Sequence, residues 1–235
     1  MDSGERPAAV LLLFDIDGTL LAGATGEHRA ALHEALLAVH GVEADVSRRP
    51  ITPAGRTDRE ITRAILLDAG VDAKRIDDGA DAVQEEACRA YARLCPEDLS
   101  HTVLTGIPEL LAQLSRRGDR LLGLVTGNYE AIARLKLRRA GIGHWFDTGI
   151  GAFGSDAEDR AELPAIARRR AGAPGAPYPR ERTIVIGDTP RDIACAHGDG
   201  LRCVAVATGP YGVDELSGAD AVARDTRDLL AALTA

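Results

Sequence analysis

Apolar residues fall into two patterns along the chain. Continuous runs of strand length alternate with stretches whose apolar positions recur every three or four residues. The first run, Ala8-Ala9-Val10-Leu11-Leu12-Leu13-Phe14, has no period-2 alternation, which suits a strand buried on both faces of a parallel sheet. It ends in Asp15-Ile16-Asp17-Gly18-Thr19, residues that favour a turn. Further strands are expected at 121–125, 148–153, 183–186 and 203–206, with helices at 106–117, 131–140, 162–171, 192–197 and 225–233. Strands alternating with helices define an α/β fold around a parallel sheet.

The region from about 27 to 92 breaks the alternation. Ala31, Leu32, Ala35, Leu36 and Val39 share one helical spacing and Gly41 is a stop signal. Ile61, Ala64, Ile65 and Leu66 follow, closed by Gly70, and 80–94 is a third helical stretch. An all-helical block placed directly after the first strand is expected to be an inserted unit. The division expected is a core of 1–20 and 97–235 and a helical insert of 21–96.

The length of 235 residues is about 1.6 times the roughly 150 residues of an average domain, in keeping with one domain plus an insert. The net charge of −8 disfavours general binding to nucleic acid or an anionic membrane. No apolar run reaches the roughly 18 residues of a membrane span, and the charged residues before the first run do not suit a signal peptide. Cys88, Cys95, Cys195 and Cys203 have no C-x-x-C or zinc-site spacing, so reduced, mostly buried thiols and a cytoplasmic location are expected. Lys74 and Lys136 are the only lysines, which limits any role that needs one.

In open parallel sheets ligands bind beyond the carboxyl ends of the strands. Asp15, Asp17 and Thr19 follow the first strand, and Thr126-Gly127-Asn128 the second. Gly154-Ser155-Asp156 follows the third, with Arg160 a little later, and Gly187-Asp188-Thr189-Pro190-Arg191-Asp192 the fourth. Asp15, Asp17, Asp188 and Asp192 would repel one another if crowded without a cation. Oxygen ligands with room for water suit Mg²⁺, which commonly works on phosphate. Thr126 and the amides of Gly127 and Asn128, at a helix N-terminus, suit a phosphate, and Arg160 supplies positive charge.

Phe14-Asp15-Ile16-Asp17-Gly18-Thr19-Leu20 resembles the first motif of the haloacid dehalogenase-like superfamily, Val125-Thr126-Gly127-Asn128 its second, and Gly187-Asp188-Thr189-Pro190-Arg191-Asp192 its fourth. The resemblance implies a Rossmann-like sheet core with an inserted helical cap, of the phosphoglycolate phosphatase and beta-phosphoglucomutase-like kind. It implies Asp15 as the nucleophile that forms an aspartyl-phosphate and Asp17 as general acid and base. Mg²⁺ would be held by Asp15, the Asp17 carbonyl and Asp188, with Asp192 as a further or outer ligand, and Thr126 would bind the phosphoryl oxygen. The family's third motif usually carries a lysine. Here Arg160 occupies the expected place and is favoured over Lys136, which lies in a run expected to be a solvated basic helix face. The presence of Asp17 favours phosphoryl transfer over dehalogenation. In the helical block, Gly55-Arg56-Thr57-Asp58 resembles a cap loop of these phosphatases, with Arg56 placed to meet an anionic substrate tail.

Gly149 to Gly154 fits the letters G-x-G-x-x-G but lies within the third strand rather than in the first strand-to-helix turn, so a dinucleotide site is rejected. His28 and His33 are not expected to bind metal, although His28 falls near the junction of insert and core. Trp145 and Phe146 are expected to be packing residues. The function expected is a Mg²⁺-dependent phosphatase for a small phosphorylated metabolite, such as phosphoglycolate or a sugar phosphate. A sugar phosphomutase and a non-catalytic phospholigand-binding module are the alternatives. The molecule is expected to act as a monomer or homodimer.

Overall fold

A computed structural model describes residues 9–43 and 51–234. The part of the first run at Ala8 and the segment from 44 to 50 lie outside the described residues. Six parallel strands form one sheet in the order β3-β2-β1-β4-β5-β6. They are β1 (Val10–Phe14), β2 (Arg120–Thr126), β3 (Gly151–Phe153), β4 (Thr183–Gly187), β5 (Arg202–Val206) and β6 (Ala221–Ala223). The strand order reverses between β1 and β4, and that switch point is where such sheets open a ligand crevice.

The uninterrupted apolar character of β1 follows from its place. Leu12 lies between Leu122 and Ile184, and Phe14 between Leu124 and Ile186. Successive side chains point to opposite faces, so the strands feed two cores. Leu12, Phe14, Leu124, Ile186 and Val204 join one, and Leu11, Leu13, Val125, Val185 and Cys203 the other. The second core is covered by α6 (Leu163–Ala171) and α7 (Pro190–Gly198), through Leu163, Ala167, Ile193 and Ala196. The first is covered by α4 (Ile107–Arg116), α5 (Glu130–Arg139) and α8 (Thr226–Thr234).

The block between β1 and β2 is helical: α1 (Gly26–His40), α2 (Asp58–Asp68) and α3 (Ala73–Leu94). Its apolar stripes, Ala31, Leu32, Ala35 and Leu36 against Val83, Ala87, Ala90 and Tyr91, run continuously into the first core. Local signals set the helix ends. Thr57 accepts from the Glu60 amide and Asp72 from the Lys74 amide, and Gly41 takes the left-handed conformation that ends α1.

The largest departures from expectation are two boundaries and one additional strand. The third helix starts at Ala73 rather than Ala80 because Asp72 caps it. The third strand is trimmed to Gly151–Phe153, since Gly149 has φ +74° and turns the chain before it. The sixth strand, Ala-Val-Ala at the sheet edge, is too short to leave a periodic signal. Three of the four cysteines are buried and all are free thiols. Phe146 is buried, and Trp145 packs half-buried against the first core. Among the described residues no helix is long and apolar enough to cross a membrane.

Candidate active site

Asp15 leaves β1 with its amide still on the ladder, donating to the Ile186 carbonyl at 2.9 Å. The chain then turns tightly, with the Leu20 and Leu21 amides both returning to the Ile16 carbonyl. Gly18 is required in this turn. Its φ is +90°, and a Cβ there would lie 2.1 Å from Asp188 Oδ2. Asp188, at the end of β4, is wedged between this turn and Gly209, whose Cβ position is 1.7 Å from the same oxygen. Thr19 Oγ1 donates to Asp188 Oδ1 at 3.3 Å, and Thr208 Oγ1 holds the Gly18 carbonyl at 2.6 Å. The support from Thr208 and Gly209 was not anticipated from the sequence, because the loop after β5 carries no charged group there.

Asp15, Asp188 and Asp192 are all buried, and each offers an oxygen within 4.8 Å of the other two. Burial pushes the Asp188 carboxyl up to about 8, reinforced by Asp15 and Asp192. It also pushes Asp15 up to about 6 against the opposing charge of Arg160. Ionisation of Asp15 and Asp188 is unfavourable here, and with Asp192 beside them they form a donor set that suits a hard divalent cation. The positive charge present is Arg160, set by a short helical turn before α6. Its Nη2 reaches Asp15 at 3.3 Å and is bonded to Asp192. Asp192 is spent twice: Oδ1 on Arg160, and Oδ2 on the Thr189 amide and hydroxyl in the capping box that starts α7. With both oxygens taken by protein donors, Asp192 supports the cluster from behind. Removing Arg160 would strand buried carboxylates. Arg160→Ala should therefore destabilise the fold by about 3 kcal/mol, with Arg160→Lys recovering a good part. Urea unfolding without added metal measures both.

Asp17 is turned away from this cluster. Its Oδ1 and Oδ2 accept from Lys136 Nζ at 2.9 and 2.7 Å, and Oδ2 also from Asn128 Nδ2 at 3.0 Å. Burial alone would raise this carboxyl, but the Lys136 charge and the hydrogen bonds from Lys136 and Asn128 outweigh it and hold it below the ordinary range. Lys136 is thus not on a solvated face: it is fully buried. The expected basic face joined residues two apart, which point to opposite sides of a helix. Lys136 instead continues the buried stripe of Ile132, Ala133, Leu137 and Ala140, and that spacing is visible in the sequence. His28 similarly falls on the buried stripe of α1.

Thr126, at the end of β2, is fully buried, and its hydroxyl accepts from Asn128 Nδ2 at 3.2 Å. Gly127 lies against the helical block: a Cβ there would be 1.9 Å from the Arg56 carbonyl, and its own carbonyl accepts from the Asp58 amide at 2.8 Å. Thr57 Oγ1 donates to the Glu158 carbonyl at 2.6 Å, so the loop preceding α2 is docked on the sheet edge. Between the two lies a cavity of about 370 Å³. Asp15, Asp17, Asn128, Arg160 and Asp188 line its floor, and Arg29, His33, Leu32, Ile61 and Ile65 its roof. Arg56 does not line it; its guanidinium is held by Glu60 and by the Thr52 carbonyl. Arg29 and His33 were not singled out as ligand contacts. Their i, i+4 spacing on α1 is the signal that places them on one face. Burial, with Arg29 nearby, holds the His33 imidazole below its usual value.

A doubly wound parallel sheet with a buried carboxylate cluster at its switch point defines an α/β protein whose ligand site lies beyond the strand ends. The family model for haloacid dehalogenase-like hydrolases matches residues 12–197. A phosphoglycolate phosphatase of Rhodospirillum rubrum is 32% identical over 86% of this chain and 80% of its own length. A Dickeya dadantii protein described as "Probable phosphatase IndB" is 26% identical over 89% of this chain and 86% of its own. The crystal structure of a hydrolase from Pseudomonas syringae superposes with a TM-score of 0.66, at 26% identity, covering 96% of this chain and 98% of that one. The chain belongs to the haloacid dehalogenase-like hydrolase family, and it is a phosphatase of that family.

Proposed function

We propose that this phosphatase hydrolyses a small phosphomonoester through an aspartyl-phosphate on Asp15, with Mg²⁺ as cofactor. The observation that carries the reading is the separation of two carboxylates on one turn. Asp15 faces the acidic cluster and Arg160, while Asp17 faces a lysine and an amide. One environment suits a nucleophile beside a cation, and the other a proton-transfer group. Asp15 attacks phosphorus and Arg160 balances charge on the phosphoryl oxygens. Thr126, Gly127 and Asn128 hold the same group from the β2 end. Asp17, held ionised in the free site, takes up a solvent proton, passes it to the departing oxygen, and then takes a proton from the water that attacks the acyl phosphate. Asp15, Asp188 and the Asp17 carbonyl would hold Mg²⁺, backed by Asp192; the ion supplies neutralisation of the phosphoryl and carboxylate charges.

The helical block, residues 21–96, acts as the cap over a core of 1–20 and 97–235. Its roof of Arg29 and His33 beside Leu32, Ile61 and Ile65 reads the leaving group. A short leaving group carrying a carboxylate or hydroxyls, as in phosphoglycolate or a sugar phosphate, meets Arg29. The four free thiols are compatible with the reducing cytoplasm.

Phosphate release from a panel of small phosphomonoesters, with Mg²⁺ or with EDTA, tests the reading. Release from at least one ester that EDTA abolishes is expected. Release unaffected by EDTA would overturn the Mg²⁺ assignment. Binding of phosphoesters with no turnover would overturn the hydrolytic reading in favour of a binding module.

A further inference from the structure

Lys136 is a buried ammonium that the hydrolytic scheme above leaves without a task. It lies on α5, beneath the helical block, and is completely removed from solvent. Burying an ammonium is costly unless every proton finds a partner. All three do: two lie on Asp17 Oδ1 and Oδ2, and the third reaches His28 Nδ1 at 3.1 Å. An ammonium has no lone pair, so His28 Nδ1 must be the acceptor and the ring proton sits on Nε2. Nε2 then donates to Asp58 Oδ2 at 3.0 Å, an oxygen that also accepts from the Tyr129 amide at 2.7 Å. The line runs from β1 through α5 to α1 and α2, and returns to the loop after β2.

We propose that Lys136, seated by His28 and Asp58, is a positioning residue that sets the Asp17 carboxylate for proton transfer, so that the acid/base is in place only while the helical block is docked. This rests on the phosphatase reading above. Two of the four groups, His28 and Asp58, belong to the helical block. Lifting that block takes away the acceptor for the third Lys136 proton and leaves the ammonium underpaired. Lys136 and Asn128 together place three donors on the two Asp17 oxygens, which fixes the orientation of a carboxylate that lies at the cavity wall. A packing role alone would be served as well by an apolar residue of the same volume, since a buried ion pair seldom adds net stability.

The test compares Lys136→Met with Lys136→Arg, and His28→Leu with His28→Asn, which keeps an acceptor near the Nδ1 position. Each is assayed with Mg²⁺ on p-nitrophenyl phosphate, whose leaving group needs no proton, and on an alkyl phosphate, whose leaving group does. In Lys136→Met, kcat should fall about 100-fold on the alkyl ester, a loss typical of misplaced general acid/base catalysis, with KM changed by no more than about threefold. On p-nitrophenyl phosphate the same variant should show a burst near one nitrophenol per site, because Asp15 still accepts the phosphoryl group while water is activated slowly. His28→Leu should shift both readouts the same way by about tenfold, and His28→Asn should recover most of the loss. If Lys136→Met does not fold, the His28 pair decides by the same two readouts. Equal losses on both esters without a burst, or wild-type kinetics, would overturn the positioning role while leaving the phosphatase reading intact. A wild-type protein that releases phosphate from neither these esters nor the wider panel would overturn both.

Discussion

Asp15→Asn should lower phosphate release by on the order of 10⁴-fold or more, the scale seen when a covalent nucleophile is removed. The carboxamide matches the carboxylate in shape, so the β1 turn and the Asp15 amide bond to Ile186 are kept. What is lost is the attacking oxygen and one of the three buried carboxylates. The fold should survive, because burial makes ionisation of Asp15 unfavourable and Arg160 retains Asp192. A variant that melts at or above the wild-type temperature without metal, yet releases no phosphate, separates chemistry from stability. Retention of more than about a tenth of wild-type turnover would remove Asp15 from the nucleophile role.

The central sheet was legible because β1 is buried on both faces and so wrote itself as a continuous apolar run. The carboxylates were legible because the sheet edge collects whatever follows each strand, and Asp15, Asp17 and Asp188 each follow one. Contacts that cross between the helical block and the core were harder to read. Asp58 is almost fully buried against Tyr129 and His28, but in the sequence it is one acidic residue in a helix's first turn, where carboxylates are common for other reasons. Arg56 shows the converse. It lies in a loop whose letters suggested a substrate contact, and four residues on Glu60 takes its charge. Neighbours at i, i+4 compete for such side chains, and the motif letters do not report that competition.

The acidic cluster makes a second large expectation, in stability. Asp188 is pushed up to about 8 and Asp15 to about 6, against an ordinary value near 3.8. Between about pH 4 and pH 8 the folded, metal-free chain therefore holds protons that the unfolded chain releases. Stability rises with pH only where the unfolded state binds more protons; here it binds fewer, so the contribution of these two groups is full below pH 4 and is lost as pH rises through 6 and 8. Asp17 works in the other direction, since its carboxyl is held low, but its contribution disappears only as pH falls below the ordinary carboxylate range. His33 and His40, whose protonation is disfavoured in the fold, cost stability at low pH, and that cost disappears as pH rises toward their ordinary value near 6.5, which partly offsets the slope there. The comparison that isolates the cluster is therefore wild type against Asp188→Asn. In EDTA the wild-type Tm should fall more steeply from pH 5 to pH 8 than that of the variant. Mg²⁺ at about 100 times its Kd should return about 2.7 kcal/mol, or roughly 5–10 °C for a chain of this size. At one fixed Mg²⁺ concentration the gain should be larger at pH 8 than at pH 5, where protons compete for the same oxygens, and nearly absent in Asp188→Asn. An equal Mg²⁺ shift in wild type and variant would move the cation away from Asp188. Parallel pH slopes in EDTA would mean that Asp188 does not carry the strain that its burial beside Asp15 implies.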